Sequence, residues 1–305
     1  MNTQARVVSL PKVAAFVAAV AITAPFLYSL YFLKSSSLSN DVLAMRLIAF
    51  IGNLVFRTGL VFLIVQLHGE RRGQLAFRRP ALLLAIYGAC LLGWQFGQGF
   101  LFQALMRSLS DTPAYLRLML AMVAPLSAML YSLVALLTWR LVTRMLRNDV
   151  LPVIPSSSAA RRIAGLAAWL FASVLLTFAP QVVYMLVNYF DDDSNLIMLN
   201  CIGMVVVAAA IVYVGARSGL PRNLGRLHGW RWLGASLAAM ASISLLAYGA
   251  LHTIGNVLDN ISVMYGMLMI IVLVGAGVAY RMCFRAFYAD VARPSTDTSQ
   301  GMQSS

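Results

Sequence analysis

The chain has 305 residues, of which 61% are apolar and only 11% are charged, and its formal net charge is +13. Soluble proteins are about one half apolar and about one quarter charged, and a folded chain of this length cannot bury so much apolar surface. The composition therefore excludes soluble enzymes and soluble nucleic-acid-binding domains. It indicates instead that lipid surrounds much of the chain.

Apolar runs long enough to cross a bilayer as a helix, about 20 residues each, occur eight times in the chain. We predict an all-α, polytopic membrane protein with transmembrane helices at 13–33, 43–67, 81–105, 116–139, 164–189, 196–216, 232–254 and 261–281. The connections hold charges and turn-forming residues and are too short for a folded soluble domain. Residues 1–293 are thus predicted to form a single transmembrane domain, and the polar segment 294–305 a disordered cytoplasmic tail.

Lys and Arg are divided unequally between the two sides of these spans. One side carries 18 of the 23 cations, the other side carries four, and Arg57 alone lies well inside a span. The positive-inside rule then places both termini in the cytoplasm. Topology explains the charge, so we expect no nucleic-acid partner, but we do expect contacts of the basic face with anionic lipid headgroups. Arg outnumbers Lys by 21 to 2, a bias typical of GC-rich bacterial genomes, which favours a bacterial inner membrane.

Two short matches indicate an internal duplication. Ala-Pro at position 24 recurs at 179, and Ser-Asn at position 39 recurs at 194, each after 155 residues. Four helices per half would give a parallel repeat with halves 12–147 and 164–290. Dipeptide matches also arise by chance in so biased a composition, so duplication and coincidence both stay open.

Arg57 is the most informative residue, because it lies near the middle of the second span. Arg46 and Asn53 lie within about 40° of it on the same helical face. A central Arg costs about 2.5–3.5 kcal/mol on insertion scales, so the folded protein should supply a partner. All ten acidic residues lie in or beside the connections. The candidate partners are therefore Gln95 and Gln98 of the third span, backbone carbonyls freed by proline, or a bound anion.

This polar cluster has two interpretations. Arg57, Asn53 and Arg46 can form a ligand-binding site for an anion, together with Gln95 and Gln98, open toward the outer face. Alternatively, Arg57 is a structural cation that the glutamines and kink carbonyls satisfy.

Small residues recur at every fourth position of the third span, at Ala85, Ala89, Gly93 and Gly97. Such a ladder lets another helix approach closely. The sequence predicts a helix-packing face, covered either by a neighbouring helix of the same chain or by a second copy in a homodimer.

No catalytic, metal or cofactor site is predicted. His252 and Asn256 are similar in spacing to one metal-binding pattern of intramembrane proteases of the abortive-infection type, but those enzymes also need paired Glu, and Glu70 is the single Glu here. Membrane prenyltransferases bind magnesium diphosphate through two Asp-rich cytoplasmic motifs, whereas the one Asp run, 191–193, falls on the outer side. We expect no enzyme activity.

Two function classes remain. A permease or exporter, or a subunit of one, for a small anionic or amphipathic solute is favoured by Arg57, by prolines within spans that can open helices, and by the predicted repeat. The alternative is a noncatalytic membrane interaction protein, such as a subunit of an envelope complex or a membrane immunity factor. A water-accessible path to Arg57 favours transport, and a dry core in which Gln95 or Gln98 satisfies Arg57 favours the interaction role.

Overall fold

The structure is a computed structural model that describes residues 10–33, 40–69, 80–108, 113–145, 159–190, 194–222, 224, 227–255 and 261–291, in places by the backbone alone. In these residues the chain forms the helices α1 (Leu10–Leu33), α2 (Asn40–Gly69), α3 (Pro80–Ser108), α4 (Pro113–Met145), α5 (Ala159–Phe190), α6 (Ser194–Gly219), α7 (Gly229–Gly255) and α8 (Ile261–Phe287). A short 3-10 turn, Ala289–Val291, follows α8.

All eight helices are long and apolar enough to cross a membrane, which confirms the predicted all-α, multi-pass fold. Each predicted span lies inside one helix, but several helices continue beyond the apolar run. The basic residues Arg144 and Arg285 lie in the last turns of α4 and α8. Cations in that position stabilise the partial negative charge of a helix C-terminus, so the helix extends into the headgroup region instead of stopping at the hydrocarbon edge.

One compact unit of the chain consists of Met1–Pro155 and Gly165–Ala210. In it α1 packs on α2 and α3, α3 packs on α4, and α2 also packs on α4. The buried face of α1 carries small residues such as Ala14 and Ala18, which let the neighbouring helices approach. Between α3 and α4, the buried rings of Tyr87 and Trp139 meet edge to face with their centroids 5.2 Å apart.

The other compact unit consists of Ser156–Ala164 and Ile211–Ser305. Its helices α7 and α8 pack along each other, and α6 crosses α8 with unusually close backbones. A Cβ added at Gly215 of α6 would overlap the backbone carbonyl of Gly277 on α8. Only glycine fits at such a crossing, as is common where membrane helices pack through small residues.

In this unit a column of buried aromatic rings runs along the end of α8 and one residue past it. Tyr280, Phe284 and Tyr288 stack at successive turns, with centroids 5.9 Å and 6.0 Å apart. The Tyr288 hydroxyl donates to the backbone carbonyl of His228 at 3.4 Å. Burial raises the pKa of this hydroxyl, although nearby Arg231 opposes the effect. The phenol is therefore a neutral donor at physiological pH.

The two compact units divide the chain between α4 and α5, within α5 and within α6. The predicted halves, 12–147 and 164–290, divide it between α4 and α5 alone. The four-plus-four repeat and the single transmembrane domain stay predictions. The tail 294–305 lies outside the described residues.

Candidate functional site

Arg57 lies at the centre of Ala49–Leu67, the membrane-spanning part of α2, and its side chain is partly buried. Asn53 lies one turn closer to the start of α2, and its amide nitrogen donates to a backbone carbonyl of the preceding turn at 2.9 Å. Because α2 is continuous, Arg46 shares this helical face as predicted. The side chain of Arg46 is outside the described residues.

Two neighbouring helices supply hydrogen-bond acceptors to the guanidinium group of Arg57. Its Nη1 donates to Oε1 of Gln95 on α3 at 2.7 Å, and its Nη2 donates to Oγ of Ser127 on α4 at 3.3 Å. Gln98, also on α3, donates to the same Ser127 oxygen. Gln95 is therefore a direct partner of Arg57, whereas Gln98 reaches Arg57 through Ser127.

The ring of Tyr131 on α4 lies under the guanidinium group. The Cζ atom of Arg57 is 4.8 Å from the ring centroid, within the range of a cation–π interaction. Hydrogen bonds to a charged group contribute about 1.5–3 kcal/mol each, and a desolvated cation–π contact about 2 kcal/mol. These interactions offset the insertion cost of about 2.5–3.5 kcal/mol for a central Arg. Neutral partners can thus hold Arg57 at this depth without a carboxylate.

An open pocket of about 400 Å³ lies between α1, α2 and α3 and has Arg57 in its wall. Its volume is within the range of small-molecule sites, about 300–1,000 Å³. It extends from the middle of the span toward the α1–α2 connection, because Ser29 lies near the end of α1 and Ala49 lies two turns before Arg57. The lining residues are Ile22, Phe26, Ser29, Ala49, Phe50, Asn53, Arg57 and Gln95.

The pocket combines an apolar wall with a polar inner end. Phe26 and Phe50 stack with their ring centroids 3.9 Å apart and their planes 8° apart. At the inner end, hydrogen bonds to described residues occupy two of the five N–H groups of the Arg57 guanidinium. The Nε2 atom of Gln95 is buried and has no hydrogen-bond partner among the described residues. Spare donors beside a cation are the groups that a bound anion needs.

A tryptophan of α5 fixes α2 beside this site. The indole nitrogen of Trp169 donates to the backbone carbonyl of Phe56 at 2.8 Å, and the two rings lie 4.9 Å apart. A Cβ added at Gly59 would overlap the Trp169 indole. The absence of a side chain at Gly59 is thus what lets Trp169 reach the residue next to Arg57.

The first half of the small-residue ladder of α3 lines a groove beside α1, and the second half is open. Ala85 and Ala89 are exposed, and a Cβ built at Gly93 or Gly97 meets no atom within 4 Å. The fully buried residues of α3, such as Tyr87, are displaced from the ladder by two residues, about 200° around the helix. The described helices therefore contact α3 mainly on the side away from the ladder, and no described helix covers Gly93 or Gly97.

The sequence thus predicted part of this site and missed part of it. It singled out Arg57, Asn53 and Gln95, which the structure places together at the pocket. It missed Ser127 and Tyr131, although two polar side chains four residues apart in the middle of an apolar span were an available signal. Phe26 and Phe50 carried no such signal, because aromatic residues are ordinary in membrane helices.

These helices make the protein an integral membrane protein, and the pocket gives α2 a polar site at mid-membrane depth. No protein-family model matches the chain, no curated protein is detectably similar to it, and no solved structure matches it.

Proposed function

We propose that this protein is a permease or exporter, or a subunit of one, for a small amphipathic anion. The observation that carries the proposal is the open pocket that reaches Arg57 in the middle of a membrane-spanning helix. An ionisable residue at that depth is rare and usually marks a substrate pathway, whereas a purely structural Arg needs no opening beside it.

The lining of the pocket favours a solute with a charged head and an apolar body. Arg57 and the unpaired Nε2 of Gln95 would bind a carboxylate, sulfonate or phosphonate head by charge-assisted hydrogen bonds. The stacked rings of Phe26 and Phe50 would contact the apolar part. Pro25 lies inside α1 next to Phe26. Since proline removes a helical hydrogen bond, this helix can bend beside the pocket during passage.

We also propose a bacterial inner membrane as the location, with both termini in the cytoplasm. The proposal is supported by the 18 of 23 cations on one side of the spans and by the preference for Arg over Lys. In this orientation the pocket opens toward the outer face. No part of the proposed role requires enzyme activity or a cofactor.

The alternative role, a noncatalytic membrane interaction protein, is favoured by two observations. The guanidinium group of Arg57 already has hydrogen bonds to Gln95 and Ser127 and a cation–π contact with Tyr131. These partners can hold a purely structural Arg without a bound solute. The uncovered ladder at Gly93 and Gly97 would also suit close approach by another membrane helix. In that role Arg57 stabilises the bundle and the pocket holds no solute.

Reconstitution into liposomes separates the two roles. The probe is hexane-1-sulfonate, whose head stays ionised and therefore does not cross bare lipid as a neutral acid. Its downhill movement is followed by mass spectrometry after rapid filtration. We expect movement well above that of protein-free liposomes, because the head matches Arg57 and the chain matches the phenylalanine wall.

Two matched probes test which part of the solute is recognised. Methanesulfonate has the head without the chain, and hexyltrimethylammonium has the chain with the opposite charge. Both should move much more slowly than hexane-1-sulfonate. If hexane-1-sulfonate moves no faster than through protein-free liposomes, the transport role is wrong and the interaction role is favoured.

A further inference from the structure

The last helix presents a continuous apolar stripe outside the pocket described above. Ile270, Val274, Val278 and Met282 recur at every fourth residue of α8, and each is at least half exposed. The stripe is about 18 Å long, since a helix rises about 1.5 Å per residue. That length is close to one leaflet of a hydrocarbon core that is about 30 Å thick. The stripe is therefore long enough to follow a lipid acyl chain through its leaflet.

Two arginines lie at the end of this stripe. Arg281 and Arg285 are exposed, and together with Val278, Met282, Ala286 and Ala289 they line an open pocket of about 640 Å³. Residues four apart on a helix have their Cβ atoms about 5–6 Å apart, so one phosphate group can accept hydrogen bonds from both guanidinium groups. The carboxylate near this end of α8, Asp290, lies 3.9 Å from Arg231 of α7.

We propose that this face of α8 binds one anionic phospholipid, with its phosphate between Arg281 and Arg285 and an acyl chain along Val278 and Met282. The positive charge of the pair complements the negative headgroup, and the apolar stripe continues directly from the pair. A soluble phosphate would match the arginines but would leave the stripe unused. This inference is independent of the transport role, because it concerns a different helix and a different ligand.

The test is retention of lipid by the purified full-length protein, measured by native mass spectrometry. The probes are phosphatidylglycerol and phosphatidylcholine with identical acyl chains. The wild-type protein should retain one phosphatidylglycerol in preference to phosphatidylcholine. The double variant Arg281→Gln/Arg285→Gln should bind phosphatidylglycerol about 30-fold more weakly, as expected for the loss of two interfacial cations.

Two further variants separate a specific site from general charge. Arg161→Gln/Arg222→Gln removes two other exposed arginines and should retain phosphatidylglycerol like the wild type. Met282→Glu keeps both arginines but places a carboxylate between them, and it should also release the lipid. It serves as the second test if the double variant does not fold.

Three results would overturn the proposal. They are equal retention of phosphatidylcholine, unchanged retention by both Arg281→Gln/Arg285→Gln and Met282→Glu, and displacement of the lipid by inorganic phosphate, which would indicate a soluble-anion site.

Discussion

We expect Arg57→Met to abolish the movement of hexane-1-sulfonate through reconstituted liposomes while the protein stays folded. Among the described side chains that line the pocket, the guanidinium group of Arg57 is the only cation. Each charge-assisted hydrogen bond to the solute contributes about 1.5–3 kcal/mol, so the loss of one such bond weakens solute binding about tenfold to a hundredfold. Met is apolar and of similar length; it loses the contacts with Gln95, Ser127 and Tyr131 but also removes the insertion cost of about 2.5–3.5 kcal/mol that they offset. Stability should therefore change little.

The controls for Arg57→Met distinguish a lost site from a damaged fold. Arg144→Met removes an exposed arginine at the end of α4 and should transport normally. Arg57→Met/Gln95→Leu removes both partners of one hydrogen bond, so no buried amide oxygen is left unpaired, and it should be at least as stable as the single variant. Transport by a folded Arg57→Met protein would show that Arg57 is not the anion-binding group. Unfolding of both the single and the double variant would favour a structural role.

Gly215→Ala should destabilise the protein, because Gly215 lies where α6 crosses α8. The new Cβ would overlap the carbonyl of Gly277, so α6 and α8 would have to separate along their crossing. Overpacking of this kind costs about 1–3 kcal/mol, which corresponds to a loss in Tm of about 2–12 °C in a chain of moderate size. The measurement is the Tm of the purified protein in detergent.

Gly203→Ala is the matched control, because it lies on the same helix and its Cβ would meet nothing within 4 Å. Replacing a helical Gly by Ala in open space stabilises the helix by about 0.5–1 kcal/mol. The two substitutions should therefore change the Tm in opposite directions. A Gly215→Ala protein as stable as Gly203→Ala would show that the α6–α8 crossing is not as close as the structure has it.

The spans could be predicted from the sequence because hydropathy over about 20 residues is a strong local signal. Arg57 could be recognised for the same reason, since few explanations other than a polar site account for a cation inside an apolar run. The absence of acidic residues from the spans then pointed to Gln95, and the structure places the hydrogen bond there.

The rest of the site could not be predicted, because it depends on how the helices are rotated and on which of them are neighbours. Ser127 and Tyr131 lie on α4, and nothing local in the sequence indicates that this face of α4 meets α2. The packing partner of the α3 ladder could not be predicted for the same reason. Gly93 and Gly97 form a regular pattern, but lipid, a neighbour and a second copy all suit an apolar small-residue face equally well. The pocket is likewise a property of three helices, so no single span predicts it.

The most direct test of the central claim is the reactivity of a single cysteine placed in the pocket. Ala49→Cys is introduced after Cys90, Cys201 and Cys283 are replaced by Ala, and the purified protein is treated with the anionic thiol reagent methanethiosulfonate ethylsulfonate. Ala49 lines the pocket two turns from Arg57. Leu60→Cys, at a buried position of the same helix, is the unreactive control.

We expect Ala49→Cys to react, hexane-1-sulfonate to slow the reaction, and the added substitution Arg57→Met to remove this protection. A cysteine at position 49 that stays unreactive in the folded protein, or one that reacts at the same rate with and without hexane-1-sulfonate, would contradict an anion-binding pocket at Arg57.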